Sequence, residues 1–142
     1  MVIDSHQHVF WHGRDDAGLI ADMVEQGIDV AWLLSWEIVP EEDNPAYHGV
    51  LNPEHRRADG THAGIVLSDL IKARDRYPNR FVLGYCPHPC LGDAPALLEA
   101  AWRMHGARIC GDYPSPPDHP RTSSRNQISY QSLTALRATR KQ

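Results

Sequence analysis

Met1-Val2-Ile3-Asp4-Ser5-His6-Gln7-His8 opens the chain as a short apolar run that turns polar, the pattern of a buried strand ending at an open face. Helical and extended patterns alternate after it. Asp15 and Asp16 precede Leu19, Ile20, Met23 and Val24, which recur at helical spacing until Gly27 supplies a stop. Val30 to Trp36 is apolar except for Ser35 and short enough for a strand buried on both faces. Val66, Leu67, Leu70 and Ile71 signal a second helix, ending where Tyr77 meets Pro78, because the residue before proline is pushed out of helical geometry. Phe81 to Cys86 reads as a third strand. Asp93 and Pro95 open a third helix, with Leu97, Leu98, Ala101 and Trp102 on one side and Gly106 closing it. Ala107 to Cys110 reads as a fourth, shorter strand.

Strands that alternate with helices of this length imply an α/β architecture, a parallel sheet covered by helices, since parallel neighbours need crossover connections. Two stretches depart from the alternation. Glu37 to Gly60 is acidic and spaced by Pro40, Pro45 and Pro53, with Asn44 and Asn52 among them, and reads as one long loop. Tyr113 to Arg125 holds Pro114, Pro116, Pro117 and Pro120 among serines, a composition that resists helix and sheet. Charge breaks at the same point. Residues 1 to 112 carry 9 Lys and Arg against 17 Asp and Glu, whereas 113 to 142 carry 5 against 1. The organisation expected is a folded part over residues 1–112 and a basic, disordered tail over 113–142, in which Tyr130 to Ala138 has too few large aliphatic residues to anchor a helix.

The 142 residues suit one core, and a net charge of -4 offers no basic field for nucleic acid or an anionic membrane. A small-molecule partner fits better. The N-terminus has neither the basic nor the apolar region of a secretion signal, and no apolar stretch is long enough to span a bilayer, so the expectation is a cytoplasmic protein. Three cysteines, Cys86, Cys90 and Cys110, are too few for a disulfide framework.

Asp4, His6 and His8 alternate along the first strand, and a period of two sends alternate side chains to one face. The two imidazoles can therefore converge on one divalent ion through neutral nitrogens, while the nearby Asp4 carboxylate orients a ring or adds a ligand. Zinc suits imidazole ligands, and Mn and Fe are the alternatives. With nine histidines in the chain a His-x-His pair carries little weight alone, but its position at a strand end does. His48, His55, Arg56 and Arg57 lie in the long loop after the second strand, where they could meet an acidic substrate or merely solvate the loop. Cys86-Pro87-His88-Pro89-Cys90, with His62 or His105, could imitate a structural zinc site, although a buried strand cysteine is the simpler account. Trp11, Trp32, Trp36 and Trp102 suit core or pocket walls.

Val2-Ile3-Asp4-Ser5-His6-Gln7-His8 resembles the opening strand of the amidohydrolase superfamily, in particular its amidohydrolase-related branch, which also contains decarboxylases similar to aminocarboxymuconate-semialdehyde decarboxylase. Gly27-Ile28-Asp29-Val30, Arg80-Phe81-Val82-Leu83-Gly84 and His105-Gly106-Ala107-Arg108 are similar to the same branch. The resemblance covers about residues 1 to 112. It implies part of a (β/α)8 barrel, about its first four βα units, in which His6 and His8 bind a divalent metal and Asp4 supports them. The implied chemistry is metal-assisted hydrolysis of a C–N or C–O bond, or non-oxidative decarboxylation. A full barrel takes about 250 residues, so the family's later histidine and late-strand aspartate have no counterpart here, and no catalytic residue is assigned. The expectation is a truncated, poorly active enzyme. Two others stand beside it: a self-assembling half-barrel, hence a homo-oligomer, and a non-catalytic binding module that uses the basic tail.

Overall fold

The computed structural model describes residues 1–89 and 91–111. The tail expected over 113 to 142, together with Cys90 and Asp112, lies outside the described residues.

Strand β1 (Ile3–Gln7) leads to helix α1 (Asp16–Glu25), β2 (Val30–Leu34) and a short β3 (Trp36–Glu37). Three 3-10 turns come next, at Pro40–Glu42, Pro45–Tyr47 and Pro53–His55, and then β4 (Gly64–Ile65), α2 (Leu67–Arg76), β5 (Phe81–Gly84) and α3 (Ala94–His105). The main sheet has the order β1-β2-β5 with all neighbours parallel, and Ile109 adds a parallel bridge to Gly84 on the far side of β5. The strand expected over Ala107 to Cys110 is thus reduced to one bridge among the described residues. The protein is mixed α/β, with a small parallel sheet and three helices among the described residues, and that sheet does not close into a barrel.

Local chemistry sets the element ends. Asp15 caps α1 by accepting from the Gly18 N–H at 2.8 Å. At the other end Gly27, at φ +68°, lets Ile28 N–H reach the Met23 carbonyl (2.7 Å) and Gly27 N–H the Val24 carbonyl (3.2 Å), a Schellman closure. Tyr77 leaves helical geometry before Pro78, as the sequence requires.

Ala31, Leu33, Phe81 and Leu83 point from the sheet toward the helices and meet Leu19, Met23, Leu70, Ala73 and Ala101 in one buried core. Leu33 and Leu70 are wholly buried, each contributing roughly 1.5–3 kcal/mol by leaving water. The opposite face, with Ile3, Val30, Trp32 and Val82, is only partly covered. Helical spacing places Val24 with the apolar stripe of α1, yet it is 66 % exposed, since Leu19 and Met23 already define the buried stripe and Val24 falls beyond its edge.

The long segment after β2 is more ordered than its composition suggests. Its prolines start the 3-10 turns, and Asn44 and Asn52 cap two of them by accepting from Ala46 N–H (3.0 Å) and Glu54 N–H (3.1 Å). Trp36 pairs with Ile65 and Glu37 with Gly64, so β3 and β4 close the segment at its base. No helix among the described residues is long and apolar enough to cross a membrane.

Candidate metal centre

The pairing register decides where the β1 side chains go. Asp4 lies opposite Ala31 and Gln7 opposite Leu33, so three steps along β1 match two along β2 and one residue is bulged between them. Asp4 and Gln7 thereby share the helix-facing side with Ala31 and Leu33, while His6 and His8 turn to the open side. Strict alternation would have kept Asp4 beside the histidines; the bulge separates them. Asp4 instead accepts from the His6 backbone N–H (3.0 Å) and from Gln7 Nε2 (2.5 Å). Gln7 Oε1 accepts from Arg14 (2.8 Å), which also pairs with Asp22 (2.6 Å). These polar groups line a groove of about 270 Å³ between β1 and α1, on the other face of the sheet from the histidines.

On the open side His6 Nε2 and His8 Nε2 stand 3.1 Å apart, their rings edge to face. His8 Nδ1 is 2.8 Å from the Leu34 carbonyl at the end of β2. A carbonyl only accepts, so Nδ1 carries the proton and the neutral ring has its Nε2 lone pair aimed at His6. Burial pushes the His8 imidazole below its ordinary value of 6.5; the Leu34 hydrogen bond opposes that, and the His6 and Arg14 charges add to it. His8 is therefore neutral at pH 7.

His6 and His8 are the side chains here that would hold a divalent ion. Their Nε2 atoms, 3.1 Å apart, are close enough that both would reach one such ion. The carbonyl behind His8 provides the outer support that histidine ligands usually have. No group of three or more His, Cys, Asp or Glu that could hold a metal occurs among the described residues.

Aromatic rings form a wall beside the pair. Trp11 lies 6.3 Å from His8, 5.5 Å from Trp36 and 6.2 Å from Tyr47, and Trp36 and Tyr47 are 5.2 Å apart. The turn carrying Trp11 is tightly wound, with Phe10 at φ +58° and His12 at φ +56°, and it is tied to the long segment by His12 N–H to the Val50 carbonyl (2.8 Å).

The loop candidates bond within the segment and to Asp69 of α2. His48 Nε2 meets Asp43 at 2.8 Å, and its Nδ1 accepts from Arg56 at 3.2 Å. His55 Nε2 meets the buried Asp69 at 2.6 Å, and Asn52 donates to the same oxygen at 3.1 Å. Arg57 donates to the carbonyls of Ile38 (2.5 Å) and His62 (2.8 Å), and to Thr61 Oγ1 (3.1 Å). These are the bonds of a folded loop. His62 has both ring nitrogens committed, Nε2 to the Asn52 carbonyl and Nδ1 to the Gly64 N–H, each at 2.9 Å. It therefore has no lone pair to offer beside Cys86. His88 is buried with Nε2 3.1 Å from Glu42. Sequence reasoning missed Asp43, Asn52, Asp69 and His62 as a network, although the Asn-Pro pairs were a signal for local caps.

No protein-family model, curated protein or solved structure matches this chain.

Proposed function

We propose that the chain forms the N-terminal part of a metal-dependent (β/α)8 enzyme of the amidohydrolase-related kind, acting on a small-molecule substrate by C–N or C–O hydrolysis or by non-oxidative decarboxylation in the cytoplasm. The observation that carries the reading is the His6–His8 pair, with nitrogens 3.1 Å apart and the His8 tautomer fixed by Leu34. Support also comes from the order of parallel strands, which follows the chain from β1 through β2 and β5 to Ile109, as successive βα units of a barrel would.

His6 and His8 would hold the ion, zinc by ligand type with Mn or Fe as alternatives. Such an ion polarises a substrate oxygen or a water as a Lewis acid. The chain's own residues do the rest. The Leu34 carbonyl keeps the proton on His8 Nδ1, the bulge keeps the two rings convergent, and Trp11, Trp36 and Tyr47 wall off water on one side. A catalytic zinc takes three protein ligands and an open position, so a working site needs ligands beyond one His6–His8 pair, and with that pair alone the chain would be poorly active.

A second copy is one source of them. The outer edge of β1 has no partner among the described strands, and Ile3 beside it is 46 % exposed, which favours a half-barrel that associates with itself.

The test is Co(II) titration of the full chain, read by its d–d absorption and by calorimetry. One equivalent should bind per chain, with affinity falling at least tenfold in His8→Ala and unchanged in His12→Ala, whose ring lies outside the pair. Equal affinity in all three proteins would end the metal reading.

A further inference from the structure

We propose that His62 is a proton-operated latch, which keeps the segment from Ile38 to Gly64 closed against Trp11 and Trp36 at neutral pH and releases it in acid. Its two hydrogen-bond partners fix the state of the ring. Gly64 N–H can only donate, so His62 Nδ1 must accept from it at 2.9 Å; the Asn52 carbonyl can only accept, so His62 Nε2 must donate to it at 2.9 Å. Both contacts hold only while the ring is neutral and in that one tautomer. A second proton would set two N–H groups against each other at Gly64.

Rearrangement within the closed state offers no escape. The ring is 1 % exposed, so a charge there is not solvated unless the segment opens. Gly64 sits at φ +81°, and its α-carbon faces the Trp36 carbonyl at a distance that would leave only 2.0 Å for a side-chain carbon. That tight contact exists only while the hairpin is closed.

The neighbouring charges set the direction. Asp43 accepts from the His62 backbone N–H (3.0 Å) and favours a proton on the ring, whereas His48 and His55, once charged, disfavour it. Arg57 donates to the His62 carbonyl, Asp69 acts one residue removed through Asn52, and Glu37 lies across the hairpin from Gly64. Burial is the largest influence and holds His62 below its ordinary 6.5. The open state thus binds the proton more readily than the closed one, and closure weakens as pH falls below about 6.5.

The latch controls more than itself. Gly64 and Ile65 pair with Glu37 and Trp36, Trp36 packs on Trp11, and Trp11 borders His8. Releasing Gly64 therefore loosens the wall of the histidine site. The latch does not rest on the metal reading; only its consequence for that site does.

The experiment is amide hydrogen exchange at Gly64 in the full chain, with nitrogen-detected NMR titration of the histidines. After correction for intrinsic chemistry, Gly64 protection should fall severalfold, and by no more than about tenfold, from pH 7.5 to 5.5, in step with His62 protonation. His62→Asn, which keeps an oxygen near the Nδ1 position and cannot be protonated, should lose that dependence, while His48→Gln and His55→Gln should keep it. A wild-type His62 that titrates near 6.5 with constant Gly64 protection overturns the proposal, and this needs no variant to fold. Persistence of the acid transition in His62→Asn overturns it as well.

Discussion

Replacing Gly64 by Ala tests whether the long segment is locked through the β3–β4 hairpin. Two costs add. An alanine at φ +81° occupies the left-handed region, at about 1–2 kcal/mol. Its β-carbon would also stand 2.0 Å from the Trp36 carbonyl and 3.0 Å from Ile38 Cγ1, so the hairpin must part. Parting breaks the Glu37–Gly64 pairing and the bond from Ile38 N–H to the Ala63 carbonyl, a further loss of about 2–3 kcal/mol at roughly 1 kcal/mol for each hydrogen bond. The sum, about 3–5 kcal/mol, is a large share of the stability of about 5–15 kcal/mol usual for a small domain. Gly60 is the internal control. It has φ +89° with nothing within 4 Å of the added carbon, so Gly60→Ala should cost only the conformational part. Urea unfolding, monitored by tryptophan fluorescence, gives both values. If Gly64→Ala loses no more stability than Gly60→Ala, the contact with Trp36 does not hold the segment and the reasoning fails.

The same geometry sets other expectations. Arg57→Ala should cost about 2–3 kcal/mol in urea unfolding because it strips a donor from two backbone carbonyls, whereas the exposed Arg56 should cost about 0.5 kcal/mol or less; equal losses would show that Arg57 is not a strut. Leu70→Ala, at a wholly buried position, should lose about 2.7–5 kcal/mol, and a loss below about 1 kcal/mol would contradict the core described. Because burial holds the His8 imidazole below 6.5, its protonation should weaken divalent-metal binding only below pH 7, where protons compete for Nε2; a loss of affinity above pH 7 that disappears in His8→Ala would mean His8 is not the neutral ligand inferred. Sedimentation of the full chain at several concentrations separates the associating form from the monomer, and a strictly monomeric, metal-free chain would eliminate the half-barrel.

The features legible in the sequence are those set by neighbours along the chain. Asp15 and Gly27 bound α1 because caps act within one turn, and Tyr77-Pro78 ends α2 through a steric clash between adjacent residues. The bulge in β1 is not legible. It is defined by Ala31 and Leu33 across the sheet, so a strand assumed regular groups Asp4 with His6 and His8. The loop misleads for a related reason. Proline and asparagine suggest irregularity, yet each Asn-Pro pair starts a capped turn, and the bonds that assemble the turns join residues 10 to 19 positions apart. The histidine pair is visible as spacing, but its protonation state is not, because the Leu34 carbonyl lies 26 residues away.

That last contact ties chemistry to strand alignment. The carbonyl that selects the His8 tautomer belongs to the neighbouring strand, and it meets Nδ1 only when β2 lies in its native register on β1. A slip of one residue would turn a different group toward the ring and free the proton to move to the other nitrogen. Nitrogen chemical shifts of His8 would then report whether the first two strands have aligned correctly, so a single imidazole can serve as an internal gauge of folding fidelity.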